Sequence, residues 1–212
     1  FSSEIKKDAH LNYARLSYEV GNAYESTPTV IQAYIDTYPN DHTQELKELL
    51  LDSYITSGNF PSALNMLEKS TSPDPKIYQQ VAFLYALQLY GDGNFKEALP
   101  YFQKAKNSKA QSQVQARATY WSGETHYQLH EYPEAQRDFS AFLALKETTL
   151  AEYPNALYGL GYALFNQKKY VEAAEYFSKY IQTQPEASRL ADANLRLGDS
   201  YFAAGKYWPA ME

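Results

Sequence analysis

The feature that most constrains this chain is a phrase that returns at a nearly constant interval: SGNFPSAL at 57–64, DGNFKEAL at 92–99, HEYPEAQ at 130–136, KKYVEAA at 168–174 and GKYWPAM at 205–211. Its aromatic residues Phe60, Phe95, Tyr132, Tyr170 and Tyr207 stand 35, 37, 38 and 37 residues apart, and Tyr24 adds an earlier copy 36 residues before Phe60. Self-similarity at such a period means one supersecondary unit repeated, with each copy burying its apolar face against the next. With 44% hydrophobic and 21% charged residues and only 9 Gly and 10 Pro, collagen-like, mucin-like and broadly disordered readings are excluded.

The unit itself can be read from spacing. Three residues after each aromatic comes Ala63, Ala98, Ala135, Ala173 or Ala210, with Thr27 in the first copy. Four residues further comes Leu67, Phe102, Phe139 or Phe177, with Ile31 in the first. A step of four puts the small and the large side chain on one face of a helix, so each phrase opens a helix. Upstream of each phrase runs another amphipathic helix, such as ALYGLGYALFNQ or ADANLRLGDSYFAA, joined to the second by a tight turn carrying Gly58, Gly93 or Gly205. Each copy is therefore a helical hairpin. Pro61 and Pro133 fall in the first turn of a second helix, where no N–H is needed, and Pro39, Pro75 and Pro185 are expected to stop second helices.

Small and aromatic residues at these offsets resemble the tetratricopeptide repeat family, whose helix-turn-helix unit has about 34 residues. The resemblance runs from about residue 8 to residue 212. It implies an all-α, right-handed superhelix of about five and a half repeats, forming a single domain over residues 1–212 that is cut in its sixth copy and belongs to a longer protein. The first copy departs from the pattern, with Arg15 where later copies have Gly123, Gly161 and Gly198. The long linkers, as in YIDTYPNDHTQELKELLLDSYITSGNF, are similar to those of the Tol-Pal-associated coordinator family and of lipoproteins in outer-membrane β-barrel assembly. That second resemblance implies a periplasmic or outer-membrane-associated place in a Gram-negative bacterium, with the cytoplasm as the alternative. These 212 residues include no lipid-acceptor Cys, so lipoprotein status is not carried over unless such a Cys lies upstream of Phe1.

In the tetratricopeptide family the first helix of each hairpin lines a concave wall, and the register assigns residues to it. One end carries Glu45, Glu48 and Asp52. The middle carries Phe83, Leu87 and Tyr90, then Arg117, Tyr120, Glu124 and Tyr127, then Tyr158, Tyr162 and Phe165. The other end carries Asp192, Arg196 and Asp199. The chain holds 21 Tyr and 10 Phe, and rings exposed in a groove give a peptide large contact area for few frozen torsions. The same rings can equally pack between hairpins. If Tyr120 and Tyr158 are exposed, replacing both with Ala weakens binding without unfolding the chain. Family members that clamp a carboxylate tail use basic residues and Asn on this wall. Here the corresponding register supplies Asn12, Leu16, Glu48 and Asp52, which would repel one. Arg117 and Arg196 are expected to pair with Glu124 and Asp199 or to await a ligand.

Composition narrows the partner. With 25 acidic against 19 basic residues and a net charge of −6, generic nucleic-acid binding is disfavoured. No apolar run approaches the roughly 20 residues that cross a bilayer, so no direct membrane insertion is expected of this segment. His126 and His130 stand four apart beside Glu131, but no zinc-protease pattern accompanies them and no metal site is assigned. Gly91 and Gly93 sit in a turn and Gly159 and Gly161 within a helix, so no phosphate loop or cofactor site is assigned either. No catalytic residue is assigned. The expected function is a non-enzymatic scaffold binding a peptide or protein segment in an aromatic-rich groove, in bacterial envelope assembly. The groove comprises Glu48, Asp52, Phe83, Leu87, Tyr90, Arg117, Tyr120, Glu124, Tyr127, Tyr158, Tyr162, Phe165 and Arg196. The alternatives are a structural or self-assembly segment of a larger protein, or a cell-wall glycan-binding module using Trp121 or Tyr158. The oligomeric state stays open.

Overall fold

The computed structural model describes residues 2–207, 209 and 210. Among them are eleven helices and no strand, which is five hairpins and one further first helix. The chain divides by its contacts at Asp74/Pro75 into two compact units.

The first unit holds α1 (Ser3–Val20), α2 (Thr27–Thr37), α3 (Thr43–Thr56) and α4 (Phe60–Glu68). Its core gathers Leu11, Ala14, Val30, Ile31, Tyr34, Leu46 and Leu50. Tyr34 is fully buried, yet its hydroxyl finds the carboxylate of Asp41, which also pairs with Lys7 at 3.0 Å. Desolvation, followed by that hydrogen bond, pushes the Tyr34 phenol up, so it stays a donor.

The second unit holds α5 (Pro75–Gly91), α6 (Phe95–Asn107), α7 (Ser112–Gln128), α8 (Tyr132–Ala144), α9 (Glu152–Asn166), α10 (Tyr170–Ile181) and α11 (Ala187–Ala203). Each helix packs on its neighbours in chain order, and α7 also meets α5 and α9, so the first helices lie side by side. Beyond Ala203 the described residues form turns. Trp208, Met211 and Glu212, where the phrase of the sixth copy falls, lie outside the described residues.

One turn geometry builds the hairpins. The N–H of Asn59, Asn94, Glu131, Lys169 and Lys206 each reaches back five residues to a carbonyl, at 2.8–3.0 Å. The residue before each sits in the left-handed region: Gly58, Gly93 and Gly205 at φ 72°, 77° and 75°, but His130 and Lys168 at 62° and 61°. These are Schellman closures, which satisfy the last carbonyls of one helix while aiming the chain into the next. The turn also docks an aromatic pair five residues apart edge to face: Tyr90 on Phe95, Tyr127 on Tyr132, Phe165 on Tyr170 and Phe202 on Tyr207, with centroids 5.1–5.6 Å apart. The first copy lacks this. Six residues separate α1 from α2 where later hairpins use three, and Tyr24 is 94% exposed, so it does not play the role its register assigns.

The small residues have a steric reason. A Cβ on Gly123 would sit 2.9 Å from the ring of Phe139 within the same hairpin, and one on Gly161 would sit 2.9 Å from Phe177. Gly159, in the next hairpin, closes on the other side of Phe139, at 2.8 Å from Cζ. Phe139 is thus a fully buried ring held between two glycines of successive first helices. One expectation about prolines is corrected: Pro75 does not stop α4, which ends at Glu68, but opens α5, where its missing N–H costs nothing.

Candidate functional site

The face built by α5, α7, α9 and α11 carries most of the residues assigned to the wall, and side chains about one repeat apart knit it. Arg117 Nε donates to Glu152 Oε1 at 2.6 Å, and the guanidinium lies 5.3 Å from the Phe83 ring centroid. Tyr158 and Tyr162 both donate to Asp192 Oδ2 at 2.5 Å. Arg196 Nε donates to the Tyr162 hydroxyl at 3.2 Å, and its Nη1 reaches Asp199 at 2.8 Å. Tyr127 meets Tyr162 edge to face at 6.4 Å, and Asn166 donates to the Tyr127 hydroxyl at 3.4 Å.

Two of the assigned aromatics do not line this face. Phe83 is 3% exposed and Tyr120 5%, because both rings pack inward, Phe83 toward Phe102 and Tyr120 onto Phe139 and Phe142. Replacing Tyr120 with Ala therefore opens the core and is not a clean test of binding. Leu87, Tyr90, Tyr127, Tyr158, Tyr162 and Phe165 are half-buried, each with one side against the helices and one toward solvent. Trp121, offered as a glycan platform, is wedged edge-on against Tyr90 and Tyr120 at 5.1 and 5.4 Å, and its indole N–H is buried without an acceptor. Arg196 pairs with Asp199 as expected, whereas Arg117 takes the buried Glu152 in place of Glu124.

Glu48 and Asp52 belong to the other unit. Both are exposed there, Glu48 accepting from Gln44 at 2.9 Å and Asp52 from the Tyr18 hydroxyl at 2.7 Å. Next to them Arg15 makes a two-pronged bond to Glu45, with Nε and Nη2 at 2.9 and 2.8 Å.

The phenols on the face are held neutral. Desolvation is the largest cause pushing Tyr90, Tyr127, Tyr158 and Tyr162 up, and bonds to the Asp192 carboxylate add to it for the last two. Asp192 moves the other way. Burial pushes it up, but the bonds from Tyr158 and Tyr162 and the nearby charge of Arg196 outweigh that and hold it below the ordinary carboxylate value. Glu124 is raised: desolvation dominates, and only the Tyr120 hydroxyl, at 2.8 Å, and the more distant charge of Arg189 oppose it.

His126 and His130 are not brought together. His126 is buried with Nδ1 at 2.7 Å from Glu131 Oε2, while His130 is exposed in the turn and bonds the Tyr132 hydroxyl at 3.0 Å. Among the described residues no three His, Asp or Glu side chains gather as metal ligands. Behind the face, Lys106 Nζ holds Asp138 at 2.7 and 2.9 Å, with Ser122 donating to Asp138 at 2.6 Å, in a nearly dry ion pair. This network was missed in the sequence, as was the Arg117–Glu152 pair. A scan for complementary residues one repeat apart would have found the second, since Arg117/Glu152, Tyr18/Asp52, Tyr158/Asp192 and Asn155/Arg189 are separated by 34 or 35 residues.

Residues 120–188, which span α8, α9 and α10 with the second half of α7, match the family model described as tetratricopeptide repeat. Solved structures extend the likeness across the chain. BtubC from P. vanneervenii is 18% identical with a TM-score of 0.58, covering 98% of this chain and 85% of its own. A tetratricopeptide repeat protein from Parabacteroides merdae is 19% identical with a TM-score of 0.54, covering 98% and 77%. The fold is that of tetratricopeptide repeats. MamA is similar over a shorter span, 20% identical with a TM-score of 0.58, covering 80% of this chain and 87% of that one. No curated protein sequence matches the chain. In tetratricopeptide terms α5, α7, α9 and α11 are the first helices, and the face described above is the one the register assigned to the wall. Among the described residues no helix is long and apolar enough to cross a membrane.

Proposed function

We propose that this tetratricopeptide array is a non-enzymatic scaffold that takes a peptide or protein segment on the first-helix face of its second unit. The observation that carries this reading is the row of half-buried rings, Tyr90, Tyr127, Tyr162 and Phe165, on a face whose polar groups are braced by neighbouring repeats. Rings held in place lose little entropy on binding, so their contact area converts into affinity efficiently. The long linkers support a role in assembly at the envelope of a Gram-negative bacterium. The test is affinity capture from an envelope extract with the wild type and a Tyr127→Ala, Phe165→Ala double variant, after both are shown to melt alike. A specific protein held by the wild type and lost by the variant supports the reading. Equal capture by both, or none by either, overturns it.

A second reading, self-assembly or packing within a larger protein, is favoured by the uncovered apolar side chains of α11 and the turn after it. Leu195, Phe202 and Tyr207 are 57%, 66% and 59% exposed. Sedimentation of a Leu195→Glu, Phe202→Glu variant decides it: association of the wild type that the variant abolishes supports self-assembly, and a monomeric wild type sinks it.

A further inference from the structure

Across the first-helix face of the second unit, carboxylates are matched with cations or with several donors. Glu152 has Arg117, Asp199 has Arg196, and Asp192 has two tyrosine hydroxyls with Arg196 at 3.8 Å. Glu124 is the exception. It stands at the middle of α7, half-buried, and its one hydrogen bond is from the neutral Tyr120 hydroxyl at 2.8 Å. Among the described residues no cation forms an ion pair with it. The positive charge that reaches it comes from Arg189, whose guanidinium is committed to Asn155 at 2.6 Å and lies 3.8 Å from Glu186. Tyr127 stands one turn further along α7, and Tyr90 packs at 5.1 Å on Trp121 one turn back, so half-buried phenols of two successive first helices flank the carboxylate along the face.

A carboxylate withdrawn from water without a cation is costly, and the surrounding fold offers none. Aromatic rings with a carboxylate among them are the chemistry that receives a cationic side chain. The ring quadrupoles attract the charge from the sides, and the carboxylate takes a charge-assisted hydrogen bond. We propose that Glu124 is the anchor for a lysine or arginine side chain of the bound segment, received beside Tyr90 and Tyr127. This rests on the reading that the face binds a protein segment, and it names the feature of that segment the face selects. A cation also relieves the charge that, among the described residues of this unit's first-helix face, has no ion pair, so the selectivity has a source in the face itself. An uncharged residue at that position would seal Glu124 from water with its charge unmet, and an acidic one would repel it.

The test pans a random dodecapeptide display library against the whole chain, and against its Glu124→Gln, Glu124→Asp and Tyr127→Ala, Phe165→Ala variants. For the wild type, Lys or Arg is enriched at one fixed position. Replacing that residue by norleucine or citrulline weakens binding about tenfold, the worth of one charge-assisted bond. Glu124→Gln erases that difference, and Glu124→Asp keeps part of it. Glu124→Gln removes a half-buried unmatched charge, so it melts at or above the wild type. Peptides that depend on Tyr127 and Phe165 but show no cationic preference, or a preference indifferent to Glu124→Gln, overturn the anchor and leave the groove standing. Peptides indifferent to every one of these substitutions, or no enrichment at all, overturn the groove and the anchor with it.

Discussion

Gly159→Ala adds one methyl group to the interior of α9, and in an unconstrained helix Ala is favoured over Gly by about 1 kcal/mol. Here the new Cβ would lie 2.8 Å from Phe139 Cζ and 3.0 Å from Cε2, closer than carbon atoms can pack. The ring cannot retreat, because its opposite edge already lies against Gly123, where a Cβ would find Cδ1 at 2.9 Å, and Phe139 has no exposed surface. Overpacking of a core typically costs about 1–3 kcal/mol, and a ring blocked on two sides places this site at the upper end. The net expectation is a loss of about 2 kcal/mol in urea unfolding followed by circular dichroism. Gly198 is the internal control, since it occupies the register of Gly123 and Gly161 two copies and one copy later, yet among the described residues a Cβ there meets nothing nearer than the Ala210 carbonyl oxygen at 3.6 Å. Gly198→Ala should therefore show the propensity gain alone, about 0.5–1 kcal/mol of stabilisation. Phe139→Leu removes the atoms in conflict, so Gly159→Ala should cost far less in that background, with a coupling of about 1 kcal/mol or more. A Gly159→Ala chain as stable as wild type, or one equally damaged with Leu at 139, would refute the account of the small residues as seats for the ring.

Tyr120→Ala should destabilise by about 3–5 kcal/mol, because it empties a ring-sized volume against Phe139 and Phe142, while Tyr127→Ala should cost much less; thermal melts of the two separate core from face. His130→Gly and Lys168→Gly should each stabilise by about 0.5–1 kcal/mol, since both residues hold the left-handed turn position that Gly58 and Gly93 fill elsewhere; unchanged or lower urea midpoints would contradict this. Lys106→Met should cost about 3 kcal/mol by leaving the buried Asp138 to the Ser122 hydroxyl and to His126 Nε2 at 3.8 Å, and Asp138→Asn added to it should recover part of the loss. Two carboxylates should oppose each other in the pH dependence. Glu124 is raised in the folded chain, so its contribution is most favourable at low pH and is lost as pH rises through its folded value. Glu124→Gln should then stabilise at pH 7 and make no difference near pH 3. Asp192 is depressed, so its contribution is present at neutral pH and lost as pH falls below about 4, and Asp192→Asn should flatten that acid limb.

The hairpins could be read before any coordinates because each is written twice over, in the period and in the Ala-to-large spacing, and both follow from helix geometry alone. The turns were visible only where glycine marks them. His130 and Lys168 adopt the same left-handed conformation with no sign in their identity, because the backbone bonds that close their turns, from Glu131 N–H to His126 and from Lys169 N–H to Leu164, require it. The site is a harder case for the same physical reason. Register places a residue on the first helix but not at a depth, and a helix flanked by its own hairpin partner and by two neighbouring first helices has only a narrow open strip. Tyr120 and Tyr127 both carry the wall assignment, and one is core while the other is half-exposed.

Depth also decides what a charge on that strip can mean. Glu48 and Glu124 were assigned alike from sequence, yet the first is a solvated side chain resting on Gln44, and its replacement should change little. Glu124 has the same chemistry among phenols, half-withdrawn from water, and among the described residues no cation forms an ion pair with it, the charge of Arg189 reaching it only from a distance. The difference between them is desolvation: Glu124 is half-buried at the middle of α7 with the Tyr120 hydroxyl as its donor, while Glu48 is exposed. A repeat array can thus give one glutamate of its first helices a different environment from another, by setting it beside rings of its own helix and of the copy before, without changing the glutamate itself.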